Sequence, residues 1–529
     1  MEQQVVHESR VKKSLLNARV NLIFYFLTLA LSFFSRKIFL DTLGADFVGL
    51  TGTLQNLLGF LNLAELGIGS AIGYVLYKPL FDHDESKINE IISVFGYLYR
   101  WIGFIILGVG LILACFLPLI FPNTKFEMDI IFFAYFSFLA SSLIGYFANY
   151  KQTLLGADQK NYVVTAYFQT ATIIKTLIQM ASAYYTGSYC LWVVIELVFG
   201  IIYSFILNWK INQVYPWLKS EIRLGKQLFR KYPEVVKYTK QLFVQKISYT
   251  VQYQTSPFLI YTFVNLATVA FYGNYTIITD KLSQFVNTFL ESSSASIGNL
   301  IAEGNQSKIK HLFWELISMR YFIGGVFSFA IYILIEPFIT LWLGPEYLLS
   351  HVVLLLIVLN VFISYTRGGV MQFLFGFGLF YDIWAPIIEI VINLTIAIWG
   401  GYMWGLPGVL LGGLTSQILI VGIWKPYFLF KKGFKEPAWN YWKHISVYCA
   451  GVILPALFII LLLNPLLPFN AFDSWTYWIL CAGIDLGAYS LISIILLYYF
   501  TSGMRSFVHR FIKLSLIHIS EPTRQAEIS

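Results

Sequence analysis

Long apolar stretches alternate with short polar or glycine-containing breaks along almost the whole chain. Reading each stretch of about 20 residues as one membrane-crossing helix predicts fourteen spans, at 15–36, 47–77, 91–121, 129–151, 161–184, 188–209, 240–265, 268–301, 312–341, 351–375, 381–402, 405–430, 442–466 and 475–500. The second and eighth are the least apolar: one carries Gln55, Asn56, Asn62 and Glu65, the other Asp280, Lys281, Asn287, Glu291 and a run of serines. Lipid offers these groups no partner, so both helices are expected to face a cavity or other helices.

Composition turns this pattern into a fold class. The chain is 57% hydrophobic and 12% charged, with mean hydropathy +0.68, whereas an ordinary soluble domain is about 25% charged. A soluble globular protein is excluded, and 529 residues suit about 13 to 15 spans with short connections. The expectation is an all-α polytopic membrane protein.

The net charge of +8 suggests nucleic acid only until the basic residues are located. With the N-terminus placed in the cytoplasm, 26 Lys and Arg fall on the cytoplasmic side and three, Arg36, Lys37 and Lys125, on the other. That asymmetry is the positive-inside signature and favours an even span number, with both termini and the basic 210–240 connection cytoplasmic. No nucleic-acid partner is needed. The first apolar run follows a polar segment and lacks a cleavage site, so it reads as a span rather than a signal peptide. The segment from Leu514 to Ser529 is unlike the rest, its start resembling a translated sequencing adapter, and is set aside as an artefact.

An internal repeat organises the spans. Ser70-Ala71-Ile72-Gly73 resembles Ala295-Ser296-Ile297-Gly298, and Ser-Lys-Ile follows at 86–88 and 307–309. Arg100 then pairs with Arg320, Pro118 with Pro337, and Gln152-x3-Gly156 with Gln372-x3-Gly376, all at offsets of 219 to 225. Six helices fill that offset, and an even number inserts both copies in the same orientation. The expected architecture is two parallel six-helix bundles, 1–209 and 241–430, joined by the linker 210–240, with two additional helices in 431–513 and the artefact tail 514–529. A substrate site is expected where the first two helices of each bundle face each other.

Ionisable residues deep in a span are functional candidates. Lys175 and the Asp280-Lys281 pair lie near mid-span, and Glu65 and Glu291 lie deep in polar helices. Arg100, Lys246, Arg320 and Arg367 are close enough to a cytoplasmic end to snorkel. Glu196, Glu389 and Asp485 are isolated acids that fit either proton carriage or helix packing. Arg36, Lys37 and Asp41 read as a solvated cap. Nucleophile-elbow, zinc-protease and Walker motifs are absent, the cysteines Cys115, Cys190, Cys449 and Cys481 show no pairing or metal spacing, and no histidine relay is buried. No enzyme, cofactor or metal site is expected, and any driving force would come from a gradient.

The stretch Ser35-Arg36-Lys37-Ile38-Phe39-Leu40-Asp41-Thr42-Leu43-Gly44, leading to Asn62-Leu63-Ala64-Glu65-Leu66-Gly67-Ile68-Gly69-Ser70-Ala71, together with fourteen spans and a parallel repeat, resembles the Wzx-type polysaccharide flippases of the multidrug/oligosaccharidyl-lipid/polysaccharide (MOP) exporter superfamily. The resemblance implies a bacterial inner-membrane protein that moves undecaprenyl-diphosphate-linked oligosaccharide to the outer leaflet by alternating access, for O-antigen, capsule or exopolysaccharide synthesis. It also implies lipid-linked oligosaccharide and membrane lipids as partners, glycan polymerase and chain-length proteins as associates, and a monomer. A diphosphate needs cations and a glycan needs amide and hydroxyl partners. The candidate path residues are Lys281, Lys175, Arg19, Glu65, Asp280, Glu291, Gln55, Asn62 and Gln252. The competing readings are a multidrug exporter of the same superfamily and a membrane glycan polymerase, which the short outer loops, nearly free of basic residues, disfavour.

Overall fold

A computed structural model describes residues 10–510 apart from 62–64, 66–67, 123, 159, 161, 291–296, 298–299, 302–303 and 380. Among the described residues all regular structure is helical. Among the described residues ten helices are long and apolar enough to cross a membrane, and further helices stand at the second, fifth, seventh and eighth predicted spans. The chain is a multi-pass, all-α membrane protein. It divides into two compact units, Met1–Ala270 and Phe271–Ser529. Candidate path residues Asn62 and Glu291 lie outside the described residues, as does the tail from 511; the side chains of Arg19, Lys246 and Gln252 do too.

In the first unit, α1 (Arg10–Leu43) turns into α2 (Ala45–Leu61) at Gly44, whose φ of 90° a residue with a Cβ rarely adopts. The predicted second span is two helices, α2 and α3 (Ile68–Phe81), with Glu65 between them. Helix α4 (Glu85–Ile120) follows, capped by Asp84, whose carboxylate accepts from the Lys87 amide at 3.0 Å. Then come α5 (Met128–Ala148), the single-turn α6 (Gln152–Ala157), α7 (Tyr162–Thr186) and α8 (Tyr189–Val214). Small residues set the closest packing: Gly103 lies against the Phe147 ring and Gly110 against Leu139.

The basic connection is an ordered part of this unit. The Lys219 amide donates to Asn89 Oδ1 at 2.7 Å, the Glu221 amide to Ser93 Oγ at 2.8 Å, and Lys231 and Tyr232 both bond Glu90, at 2.7 and 2.6 Å. Its short helix α9 (Gly225–Phe229) brings Gly225 against Tyr97 and the Ser93 carbonyl, an approach that a Cβ would block. Helix α10 (Pro233–Phe263) packs on α2 and α3, with Gly59 against the Gln254 side chain. The division between the units falls inside α11 (Leu266–Leu290).

The second unit continues with α12 (Gln306–Trp342), α13 (His351–Gly376), α14 (Trp384–Trp404), α15 (Leu406–Phe434), α16 (Trp439–Leu466) and α17 (Trp475–Phe500). Helix α12 begins as α4 does, with Asn305 Oδ1 accepting from the Lys308 amide at 3.1 Å. Helices α14 and α15 meet backbone to backbone, Gly400 on Gly408 and Gly412 on the Asn393 carbonyl, the small-residue packing that lets membrane helices approach without a hydrophobic driving force. The core centres on α12: Phe313 and Trp314 pack with Phe373, Phe430 and Tyr448, and Phe329 stacks on Tyr489 with ring centroids 4.5 Å apart.

Candidate functional site

The described candidate residues fall in three places. The first is around Glu65, between α2 and α3. There the Glu65 carboxylate accepts a hydrogen bond from the Tyr99 hydroxyl of α4, and Tyr146 of α5 also bonds it. The two rings tilt against each other with centroids 5.5 Å apart. Gly69 lies beside both Glu65 and the Tyr99 hydroxyl. A carboxylate with two phenol donors keeps its hydrogen bonds inside the protein.

The second lies between α7 and α8. Lys175 Nζ is 2.8 Å from Glu196 Oε1, and Gln179 Nε2 donates to Glu196 Oε2 at 3.0 Å and to the Trp192 carbonyl at 3.3 Å. The ammonium also lies 6.0 Å from the Tyr203 ring centroid. Glu196, isolated in sequence, is thus the counterion of Lys175, and an anionic cargo reaching that lysine would compete with it.

The third is α11 with its neighbours in the second unit. Asn274 and Thr279 are buried, Lys281 is half-buried, Asp280 is exposed, and the Ser283 hydroxyl is 3.0 Å from the Tyr365 hydroxyl of α13. Asp280 and Lys281 differ in exposure, as sequence neighbours on a helix should. In the first unit Gln55 is exposed on α2, while Asn56 donates to the Gly52 carbonyl at 2.7 Å. Within the first unit, Lys175 and Glu65 occupy different helix pairs, while Lys281 belongs to the second unit.

Two expectations are corrected. Arg320 does not snorkel: it is 2% exposed and donates through Nη1 to the Tyr365 carbonyl at 3.2 Å. Gly368 and Gly369 on α13 supply the room, since a Cβ at Gly368 would strike the guanidinium. Arg100, its sequence counterpart, is exposed, as snorkelling requires, and Arg367 is half-exposed. At the end of α1, Lys37 and Asp41 form an exposed pair at 3.8 Å, while Arg36 donates to the Ala270 carbonyl at 2.7 Å and so joins helices rather than capping one.

Sequence reasoning missed the partners of these groups. Tyr99 and Tyr146 look like ordinary apolar-span tyrosines, and nothing local links them to Glu65. Lys425 reads as a topology signal, yet it is buried in an ion pair with Asp382 at 2.7 Å, with Trp424 Nε1 on the same carboxylate at 3.1 Å. Two π-helical stretches, 417–424 and 429–434, flank that lysine. Among the described residues no group of three or more His, Cys, Asp or Glu is arranged to hold a metal.

No protein-family model matches the sequence, and neither does any curated protein. Among solved structures, the chain is similar to lipid II flippase MurJ in an inward closed conformation, with TM-score 0.62 and 14% identity over 90% of this chain and 98% of that one. It is also similar to an inward-facing multidrug resistance MATE family transporter of the MOP superfamily, with TM-score 0.58 and 14% identity over 79% of this chain and 99% of that one. The chain shares the helical fold of these two structures. Within that fold, the polar helices α2, α3 and α11 and the Lys175–Glu196 pair are the groups that a purely lipid-facing bundle would not carry.

Proposed function

We propose that this chain is a flippase of the Wzx type, which carries undecaprenyl-diphosphate-linked oligosaccharide repeat units across the bacterial inner membrane by alternating access. The observation that carries the reading is the likeness to a lipid flippase, which takes in 90% of this chain against 79% for the multidrug transporter. The distribution of polarity supports it. An anionic diphosphate on a hydroxyl-rich glycan calls for an intramembrane cation beside amide and acid acceptors. Lys281 and Asp280 on α11 offer that chemistry within the second unit, and the first unit separately carries Glu65 and Gln55. Lys175 is the second candidate cation, reached by exchange with Glu196.

The test is export of lipid-linked glycan in cells lacking their own flippase, corrected for protein level. Lys281→Ala is expected to lower export about tenfold or more, the scale of losing one charge-assisted contact, and Arg100→Ala to leave it close to wild type. Unchanged export in Lys281→Ala would move the site elsewhere. The second reading, a multidrug exporter, draws on the MATE likeness. Resistance to cationic dyes without any glycan export would establish it instead.

A further inference from the structure

The second unit contains a cavity of about 500 Å³ that the transport reading does not use, lying beside the 464–473 connection between α12, α16 and α17. At its lining stands Asp485, 3% exposed and ten residues into α17, about 15 Å from that helix's start. Its Oδ1 has no hydrogen-bond partner. Asn464, across the cavity lining, likewise holds a buried Oδ1 without a partner. Pro337 of α12 adds a third acceptor: it has no N–H to give, so the carbonyl of Ile333, which also lines the cavity, loses its helical donor. The next carbonyl, Leu334, is taken by Trp478 Nε1 at 3.1 Å.

Phe469 and Phe472 line the remaining walls together with Asn470 and Asp473, and no basic side chain is among the described residues that line the space. A buried carboxylate without a cation is costly. The volume and the convergent polar atoms beside two aromatic rings match a small-molecule site. Acceptors without donors select the ligand: it must bring both positive charge and N–H groups. We propose that this cavity binds a protonated amine carried on a small apolar body, with the ammonium on Asp485 Oδ1 and Asn464 Oδ1 and the apolar body against the two phenylalanines. Asp473, at the rim, adds a second negative charge and disfavours anionic ligands such as a phosphate-bearing headgroup. The site lies where the two additional helices meet α12 and is separate from the residues assigned to the cargo.

Calorimetric titration of the full chain in lipid nanodiscs with hexylammonium tests this. Saturable binding is expected, with hexanol, which lacks the charge, and hexyltrimethylammonium, which lacks the N–H groups, weaker by about tenfold or more. Asp485→Asn keeps the shape and removes the charge, so it should weaken hexylammonium binding about tenfold or more, with a smaller loss in Asn464→Leu. If Asp485→Asn fails to fold, Asn464→Leu decides alone. Absence of saturable binding, hexanol binding as tightly as the amine, or affinity unchanged in the variants that fold would overturn the proposal.

Discussion

Helices α4 and α12 start alike and end up in different surroundings. Each follows an Asx cap, Asp84 or Asn305, each runs through Ser-Lys-Ile, and each carries an arginine fourteen or fifteen residues on and a proline near its far end. Yet half of the apolar window of α12 is buried within the protein, against 33% for α4. The additional helices α16 and α17 pack on α12, and Trp314 near its base stacks on His444 at 4.5 Å. The base of α4 is instead covered by the hydrogen-bonded linker. The arginines record the difference. Arg100 reaches outward, whereas Arg320 is enclosed because Gly368 and Gly369 leave it room; at the same offset of 220 the first copy has Ala148 and Asn149. Equivalent positions in a repeat therefore inherit helix starts, while side-chain fate follows from whichever helix lies opposite.

The sharpest way to break this comparison is to fill the space around Arg320. Gly368→Ala places a Cβ into the guanidinium and should cost about 2 to 4 kcal/mol, as overpacking combined with a disturbed buried charge does, read as a lowered Tm in detergent. Gly145→Ala, with nothing within 4 Å of the new Cβ, should be neutral or slightly stabilising. Equal effects would show that the two helices are covered alike.

Arg320→Ala against Arg100→Ala asks the same of the arginines. The buried one should cost about 2 to 4 kcal/mol through a cavity and an orphaned carbonyl; the exposed one should stay within about 0.5 kcal/mol. A reversed ranking in thermal unfolding would refute the assignment. Next in size is the Lys175–Glu196 pair. Glu196→Met alone should destabilise by about 1 to 3 kcal/mol, and adding Lys175→Met should recover part of that loss, because an uncompensated ammonium costs more than an absent pair. Additivity of the two changes would mean that the pair is not coupled.

The smallest effect belongs to Lys125, which meets Asp46 at 2.7 Å and is fully exposed. The hydrogen bond and charge of Asp46 raise the lysine's pKa above its ordinary value of 10.5. The folded-state pKa is the higher one, so any stability from this pair is present below the unfolded pKa and fades as pH rises through the folded value. Lys125→Ala should therefore differ slightly from wild type at neutral pH and converge with it in strong alkali; a gap that widens in alkali would reverse the assigned direction.

The sequence by itself determined the fold class, because apolar stretches of span length with so few charges leave the bilayer as the only suitable solvent. It showed Ser-Lys-Ile at 86–88 and 307–309, while the Asx caps before these stretches, which start the helices at Glu85 and Gln306, came from the structure. It also picked out Lys175, Glu65 and Asp280-Lys281 as groups that lipid would penalise. The tertiary structure alone decided what meets them: Glu196 for Lys175, Tyr99 and Tyr146 for Glu65, Asp382 for Lys425, and an enclosing wall for Arg320. It also decided that the basic connection is hydrogen-bonded to α4. Apolar periodicity and caps are local signals, written within a few residues; a partner 21 or 34 positions away is chosen by which helix faces which, and that choice has no local signature.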